Sequence, residues 1–336
     1  MAPLWIALAV CSIICSRAAA DVGVCYGLHG DNLPPPKEVV ALYKHYGIQS
    51  MRLFDPNPSA LEALKGSGIG VILGVPNTDI PNIASSQAAA QQWFDTNLAP
   101  YLNDVNFLYI AVGNEVIPGG DGSTIAGAMK NIQTILSSKN VGGIKVSTAV
   151  PLTVLGTSFP PSAGQFSKEV DGVMRAILGV LSAQGSPLMI NVYPYYGYVG
   201  DPANVLLDYA VFRANGTVVQ DGPLGYSNLF DAMVDAFYSA MEKAGGSTVG
   251  VVVTESGWPS AGKGNVTTPE IAGTYNRNFL AHLNANGTPK RPDAKIDGYI
   301  FAMFNENLKP GAATEQNFGL FYPNKQPVYP VFNPII

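Results

Sequence analysis

Short apolar runs alternate with segments of helical period along the whole chain. Eight runs have the length and the β-branched content of buried strands, and they are residues 22–27, 48–54, 69–75, 106–113, 144–150, 187–193, 250–255 and 295–304. Apolar residues recur at three- and four-residue spacing between the runs, which predicts helices at 36–46, 57–66, 86–100, 123–138, 166–183 and 268–284. An apolar stripe from Leu229 to Met241 predicts one more helix before the seventh run.

The alternation of strands and helices predicts a parallel sheet covered by helices, because runs that are apolar on both faces must be buried on both sides. Eight such units favour an α/β fold of the (β/α)₈ TIM barrel type over an open doubly wound sheet, for which the sequence has no G-x-G-x-x-G turn. Residues 196–225, rich in Gly, Tyr and Asp, predict a small excursion after strand 6. No linker divides the remainder, so we predict one domain over 21–336.

The first twenty residues resemble a secretory signal peptide. An apolar stretch from Leu4 to Ile14 is followed by Arg17 and by the small residues 18–20, so we expect cleavage before Asp21. A membrane anchor is the alternative, but the stretch is shorter than the ~20 residues that span a bilayer. The C-terminal "YPVFNPII" has no long apolar tail, and we expect neither a lipid anchor nor an appended module.

Charge, cysteine content and sequons narrow the kinds of protein that this chain can be. The formal net charge is −5 and the 19 basic residues are scattered, which argues against nucleic acid as a partner. Cleavage of the signal would leave Cys25 as the single cysteine, so no internal disulfide is expected and the thiol is predicted to be a buried small apolar group. Sequons at Asn215, Asn265 and Asn286 are compatible with a secreted glycoprotein.

Two of the apolar runs end on a glutamate. "LYIAVGNEVIP" carries Glu115 at the end of the fourth run, and "VVVTESGWP" carries Glu255 at the end of the seventh. The carboxyl ends of barrel strands share one mouth, so both side chains are expected at the same rim. A pair of carboxylates there is what glycoside hydrolysis requires, one as proton donor and one as nucleophile or base. The alternative is that each glutamate is an ordinary solvated loop residue.

The sequence lacks the motifs of zinc-dependent hydrolases and of hydrolases with a serine nucleophile. His29, His45 and His282 are far apart and show no metal-ligand spacing. No G-x-S-x-G elbow is present, since Thr254 stands where the first glycine would be. We therefore expect no metal and no cofactor.

Several motifs together carry a family resemblance. The segments "VGVCYG", "MRLFDPNPSALEALKGSGIGVILGVPN", "VGNEV", "INVYPYYGY", "VVVTESGWPS", "FAMFNENLKPG" and "EQNFGLFYPN" occur in order between Asp21 and Tyr329. They resemble the plant β-1,3-glucanases of glycoside hydrolase family 17. The resemblance implies that 21–336 is a hydrolase catalytic domain acting on a β-glucan polysaccharide. It also implies a monomer without a membrane partner, secreted to the extracellular space or cell wall, with the vacuole as an alternative location.

The resemblance also implies roles for individual residues. Glu115 would be the general acid/base and Glu255 the nucleophile of a retaining endo-hydrolase, with Asn114 against the sugar 2-hydroxyl. Phe54 stands where many members have a tyrosine. The family's auxiliary cluster corresponds to Glu306, Lys309 and Glu315.

Physical requirements add expectations to these roles. The two carboxyl groups should lie ~5–5.5 Å apart, as retention requires. Glu255 must be ionised, and Lys309 is the candidate cation beside it. Tyr193 and Trp258 are the preferred aromatic walls of the cleft, because sugar rings stack on aromatic faces.

Two alternative functions stay open at this point. The same scaffold could hydrolyse mixed β-1,3;1,4-glucan, since the sequence does not reveal the shape of the cleft. A non-catalytic glucan-binding wall protein is the alternative from a different class, because a fold does not fix a function. The presence of both glutamates favours the enzyme.

Overall fold

The computed structural model describes residues 22–285 and 287–335. The predicted signal peptide, 1–20, and the sequon residue Asn286 lie outside the described residues, so both stay predictions. The sequon residues Asn215 and Asn265 lie within them and are exposed.

Eight parallel strands close into a barrel, as predicted. Each strand pairs with its neighbours in chain order, and the last strand pairs with the first through Val22 and Gly298. The strands are β1 Val22–Tyr26, β2 Ser50–Leu53, β3 Gly70–Val75, β4 Asn106–Asn114, β5 Lys145–Pro151, β6 Leu188–Asn191, β7 Val251–Ser256 and β8 Gly298–Ile300.

Helices surround the barrel and carry recognisable start signals. Side chains of Asn57, Ser86, Asn228 and Thr268 accept a backbone hydrogen bond at the start of four of them, which satisfies an otherwise unpaired N–H group. The helices are α1 Pro36–His45, α2 Pro58–Leu64, α3 Ile80–Ser85, α4 Gln87–Asn97, α5 Ile125–Ser138, α6 Asp171–Gln184, α7 Pro194–Gly200, α8 Leu207–Ala210, α9 Leu229–Lys243 and α10 Pro269–Leu283.

The excursion after strand 6 is confirmed. It consists of α7, α8 and an antiparallel pair formed by Val219–Asp221 and Leu224–Tyr226, all before α9. The predicted helix at 166–183 begins later, because Gln165–Phe166 pairs with Leu155–Thr157 as a second small antiparallel sheet. The short helix α3 was not predicted.

The last unit departs from the repeating pattern. The apolar run at 295–304 contains only a three-residue strand. Phe301 and Phe304 are buried outside that strand: Phe301 lines the cavity, and Phe304 forms an isolated bridge with Phe321. Downstream of it, the described residues form a 3₁₀ turn, Ala313–Asn317, and an irregular segment rather than an eighth helix. The Tyr329 hydroxyl accepts from Asn276, and Ile335 N donates to the His45 carbonyl. This segment therefore ties α10 to α1 across the seam between β8 and β1.

One large apolar cluster forms most of the core, and a second, small cluster of Tyr209, Tyr226 and Ala232 lies beside the excursion. Cys25 is buried within the large cluster with its thiol against the Thr254 carbonyl, which confirms the prediction for this residue. Burial raises the pKa of that thiol well above its usual range. None of the helices in the described ranges is long and apolar enough to cross a membrane.

Candidate active site

A cavity of about 960 Å³ opens at the carboxyl ends of the barrel strands. Loops from both ends of the chain line it, and Glu115 and Glu255 both face it. The two glutamates predicted from separate motifs therefore share one mouth, where a barrel of this type builds its active sites.

Glu115 occupies a constrained turn directly after β4. Asn77 fixes the preceding residue from both sides, because its side chain donates to the Asn114 carbonyl at 2.9 Å and accepts from the Asn114 N–H at 2.8 Å. The Glu115 N–H donates to the Ala149 carbonyl. Glu115 itself has φ of 51°, a left-handed conformation that is uncommon outside glycine. These contacts turn the carboxyl group into the cavity.

Glu255 lies near the end of β7 and is buried, with 6% of its surface exposed. Its Oε1 accepts from Arg52 Nη1 at 2.8 Å and from Asn191 Nδ2 at 3.0 Å. Its Oε2 accepts from the Tyr193 hydroxyl at 2.6 Å. Both oxygens are thus held by donors, one of them cationic, and this arrangement stabilises a carboxylate anion.

Asn191 and Arg52 are site residues that were not predicted from the sequence. Arg52 lies on β2, is 1% exposed, and donates from Nη2 to Asn114 Oδ1 at 2.8 Å as well as to Glu255. Lys309 was the expected cation beside Glu255, and that expectation is wrong: the ion pair of Glu255 is formed by Arg52. An arginine inside the apolar run "IQSMRLF" was the available signal, because a buried charge must be paired.

The two carboxyl groups are linked by one amide. Asn191 Nδ2, at the end of β6, lies 2.8 Å from Glu115 Oε1 and 3.0 Å from Glu255 Oε1. These two oxygens are therefore separated by at most about 6 Å, which is compatible with the ~5–5.5 Å between the carboxyl groups of retaining glycosidases.

The environment of Glu115 differs from that of Glu255. Its side chain is accessible inside the cavity, but the surrounding walls displace bulk water, and this desolvation raises its pKa above the ordinary value for glutamate. The negative charge of Glu255 raises the pKa further, while Asn191, Arg52 and Lys309 oppose the shift. A raised pKa is what a general acid needs near neutral pH.

Two further predicted residues lie beside the pair. Asn114 Oδ1 accepts from Arg52 and, at 3.1 Å, from Asn191, which leaves the amide nitrogen of Asn114 as the end that can donate to a sugar hydroxyl. Phe54 lines the cavity and lies 4.5 Å below the Arg52 guanidinium. Phe54 has no hydroxyl group to offer in the cavity. A tyrosine hydroxyl is supplied to Glu255 by Tyr193.

The residues of the predicted cluster after β8 lie close together. Glu306 is 2% exposed, accepts from the His29 N–H and pairs with Lys309 at 4.0 Å, but it is not among the residues that line the cavity. Lys309 and Glu315 do line the cavity. Lys309 lies 3.9 Å from the centre of the Phe301 ring, and Glu315 accepts from the Tyr196 hydroxyl at 2.7 Å.

The aromatic predictions also divide. Tyr193 lines the cavity as expected. Trp258 does not, because it is 0% exposed, donates to the Val266 carbonyl and packs between Tyr195 and Tyr275. The prediction of Trp258 as a cleft wall is therefore wrong. A tryptophan shortly after a strand can pack into the core as well as face a cleft, and Trp258 packs into the core.

The histidines take separate positions. His29 lines the cavity rim, His45 ends α1, and His282 on α10 contacts Asp231 at 2.8 Å. Across residues 22–285 and 287–335, no group of three or more histidine, cysteine, aspartate or glutamate side chains is arranged to hold a metal ion.

Comparison with known proteins decides the family. The model of glycosyl hydrolases family 17 matches residues 22–332. The chain belongs to this family.

Similar proteins cover nearly the whole family 17 chain. A probable glucan endo-1,3-beta-glucosidase of Arabidopsis thaliana is 50% identical over 310 residues, covering 91% of this chain and 87% of that protein. Lichenase-2 of Hordeum vulgare is 49% identical over 311 residues, covering 93% and 98%. The solved structure of a beta-1,3-glucanase and allergen of Cryptomeria japonica pollen superposes with a TM-score of 0.89 at 51% identity, covering 93% of this chain and 98% of that one. The predicted family and enzyme class are confirmed.

Proposed function

We propose that this family 17 enzyme is a retaining endo-hydrolase of β-1,3-glucan that uses Glu115 as general acid/base and Glu255 as nucleophile. The observation that carries the assignment is the asymmetry of the two carboxyl groups. Glu255 is held by a cation and two neutral donors, whereas the pKa of Glu115 is raised by its surroundings. One group is thus suited to attack and the other to hold a proton.

In the first step, Glu115 transfers its proton to the glycosidic oxygen while a Glu255 oxygen attacks the anomeric carbon. The bond to the leaving sugar breaks and a glycosyl ester forms on Glu255. Attack removes the negative charge from Glu255, so its contribution to the raised pKa of Glu115 disappears. The lower pKa favours the ionised form of Glu115, which is the form that can accept a proton in the second step.

In the second step, ionised Glu115 takes a proton from water, and the water oxygen attacks the anomeric carbon of the ester. The Glu255 carboxylate leaves, and Arg52 and Tyr193 receive the returning negative charge through their hydrogen bonds. Two inversions give net retention. The Asn114 amide nitrogen is suited to hold the sugar 2-hydroxyl through both steps.

The substrate assignment rests on relatives of about half identical sequence. Relatives from Arabidopsis thaliana, Vitis vinifera and Zea mays are named glucan endo-1,3-beta-glucosidases, at 50%, 50% and 51% identity. Lichenase-2 at 49% identity supports mixed-linkage β-glucan as a second candidate substrate. The cavity is lined by residues around the barrel mouth, from Tyr26 to Phe318. Endo action requires such a site to stay open across the mouth, so that a polysaccharide chain can lie through it.

The cellular setting is part of the proposal. We infer secretion with removal of residues 1–20, to the extracellular space, cell wall or vacuole, and action as a single-domain monomer. The non-catalytic alternative is disfavoured by the intact pair of glutamates.

Initial rates on laminarin and on barley mixed-linkage glucan, for wild type and Glu255→Ala, test these assignments together. We expect faster release of reducing ends from laminarin, early products of mixed length, and no release by the variant. Faster hydrolysis of the mixed-linkage glucan would show that this glucan, and not β-1,3-glucan, is the preferred substrate. Glucose alone at early times would refute endo action, and no release by wild type would support a binding protein.

A further inference from the structure

Thr254 precedes the nucleophile on β7 and is fully buried. Its hydroxyl donates to Asn191 Oδ1 at 2.9 Å. Successive residues of a regular strand point to opposite faces, so Thr254 would ordinarily point away from the Glu255 side chain. The pairing of β7 with β6 shifts register between Val253 and Glu255, and such a bulge re-aims side chains beside an active site. The side chains of Thr254 and Glu255 therefore both reach Asn191.

The contacts of Asn191 determine which way its amide points. Its oxygen faces the Thr254 hydroxyl and, at 3.4 Å, Arg52 Nη1, which can only donate. Its nitrogen faces oxygens of two carboxyl groups and one amide, at 2.8, 3.0 and 3.1 Å from Glu115, Glu255 and Asn114. A half-turn of the amide would place its oxygen against ionised carboxyl groups, which have no proton to donate. The Thr254 hydroxyl forms the shorter of the two contacts that oppose this rotation.

The two glutamates depend on this amide to different extents. Glu255 also accepts from Arg52 and Tyr193, so it keeps two donors without Asn191. For Glu115, Asn191 is the only hydrogen-bond donor to the carboxyl group among residues 22–285 and 287–335. The two N–H groups of Asn191 serve three acceptors. When Glu255 becomes an ester, it loses its charge and attracts these donors less, which leaves them available to ionised Glu115.

We propose that the Thr254 hydroxyl is a positioning group for the second step: it keeps the Asn191 nitrogen directed at Glu115 and so favours the ionised Glu115 that takes a proton from water. The proposal rests on the retaining function proposed above and extends it to a residue behind the catalytic pair. Thr254 is fully buried and is not among the residues that line the cavity. Its hydroxyl therefore acts on the reaction through Asn191 and not by contact with the sugar.

Four variants separate this role from simple packing. Thr254→Val keeps the shape and removes the hydroxyl, Thr254→Ser keeps the hydroxyl, and Asn191→Ala removes the amide. Thr148→Val is the matched control, because Thr148 on β5 is 1% exposed and its hydroxyl has no hydrogen-bond partner in the described part of the chain. The charged and titratable groups that face Glu115 are the same in all four: Glu255 on β7, Arg52 on β2, Lys309 after β8 and Tyr196 on α7.

The two chemical steps are measured separately over a range of pH. The value of kcat/KM on laminarihexaose reports the first step, which needs protonated Glu115 and declines on the alkaline side. The return of activity after trapping as a 2-deoxy-2-fluoro glycosyl ester reports the second step, which needs ionised Glu115 and declines on the acid side. Desolvation raises the pKa of Glu115 and the Asn191 hydrogen bond lowers it. Loss of that bond should therefore move both limbs to higher pH.

Below the acid limb, reactivation of Thr254→Val should be about three- to tenfold slower than that of wild type, the factor that one net hydrogen bond allows. The difference should shrink as pH rises through the limb. Asn191→Ala should shift both limbs in the same direction and at least as far, whereas Thr254→Ser and Thr148→Val should keep the limbs of wild type.

A Thr254→Val enzyme with both limbs at their wild-type pH would overturn the proposal, even if it were slower at every pH, because a packing defect lowers the rate without moving a limb. An equal shift in Thr148→Val would overturn it as well. Failure of the wild-type enzyme to form the trapped ester would refute the retaining function itself, and the role of Thr254 with it.

Discussion

Arg52→Met tests how far the active site depends on the buried cation beside Glu255. Arg52 is 1% exposed and donates to Glu255, Asn114 and the Thr254 carbonyl at 2.8, 2.8 and 3.0 Å. Removing one partner of a buried ion pair typically costs ~3–5 kcal/mol of stability, because the other charge stays buried without compensation. Tyr193 and Asn191 still donate to Glu255, so we expect the lower end of that range, about 3 kcal/mol.

The effect on catalysis follows from the same contacts. A charge-assisted hydrogen bond contributes ~1.5–3 kcal/mol, so the loss of the bond that positions Glu255 should lower kcat on laminarin by about 10- to 100-fold. Arg52→Lys should lie between wild type and Arg52→Met. A lysine ammonium keeps the charge but lacks the planar fork that reaches Glu255 and Asn114 together.

The assay is urea unfolding followed by tryptophan fluorescence, with a double-mutant cycle that combines Arg52→Met with Glu255→Gln. Each single variant leaves one buried charge unpaired, whereas the double variant leaves none. The cost of the double variant should therefore be smaller than the sum of the single costs by about 2 kcal/mol. Arg175→Met is the matched control, because the Arg175 side chain is 50% exposed in its pair with Asp171 and should change stability by no more than ~0.5 kcal/mol.

Two results would refute this reasoning. Single costs that add within ~0.5 kcal/mol would show that the two charges do not depend on each other. An Arg52→Met enzyme with kcat near wild type would show that the cation does not position the nucleophile.

The remaining predictions concern pH, rescue, stability and the buried tryptophan. Activity should fall as pH rises through the raised pKa of Glu115, and Lys309→Met should move this alkaline limb to higher pH, because Lys309 lowers that pKa; an unmoved limb would contradict it. Glu115→Ala should keep activity on glycosides with good leaving groups and give a β-glycosyl azide with added azide. An α-glycosyl azide from a Glu255 variant would mean that the two glutamates have the opposite roles. Burial raises the pKa of Asp235 to about 6, so the stabilising protonated form is present at low pH and lost as pH rises through 6. Asp235→Asn should then raise the unfolding free energy by on the order of 1–2 kcal/mol at pH 8 and much less at pH 4; equal effects at both pH values would be inconsistent with this. Trp258→Phe should lower the melting temperature and leave KM for laminarin unchanged. A raised KM would indicate that Trp258 contributes to substrate binding.

The barrel could be predicted because its strands and helices differ in period. Each strand that is buried on both faces reads as an apolar run, and each helix presents an apolar stripe to it. The prediction failed at the end of the chain, where "KIDGYIFAMF" is apolar but forms a three-residue strand. Phe301 and Phe304 are buried but lie outside the barrel sheet, and an apolar run alone does not distinguish burial within the sheet from burial beside it.

The shared position of Glu115 and Glu255 at the barrel mouth could be predicted because both glutamates end a buried strand. What the sequence did not reveal was the contact between strands far apart in the chain. Arg52 forms an ion pair with Glu255 across the barrel interior. The residues around "SMRLF" do not indicate which acid is its partner. The prediction for Trp258 was wrong for a related reason, although Tyr193 lines the cavity as predicted. Trp258 and Tyr196 both follow strands, but Trp258 is fully buried between Tyr195 and Tyr275, and Tyr196 is about half exposed.

Trapping the glycosyl-enzyme tests the central claim most directly. A 2-deoxy-2-fluoro-β-laminaribiosyl fluoride should form an ester that hydrolyses slowly, because the fluorine at carbon 2 destabilises the oxocarbenium-like transition state of both steps. Peptide mass spectrometry after digestion should then find the added disaccharide on Glu255 in the peptide containing "TESGWPS". A label on Glu115 would contradict the account, and so would an unlabelled enzyme that releases the inverted α-anomer from laminarin.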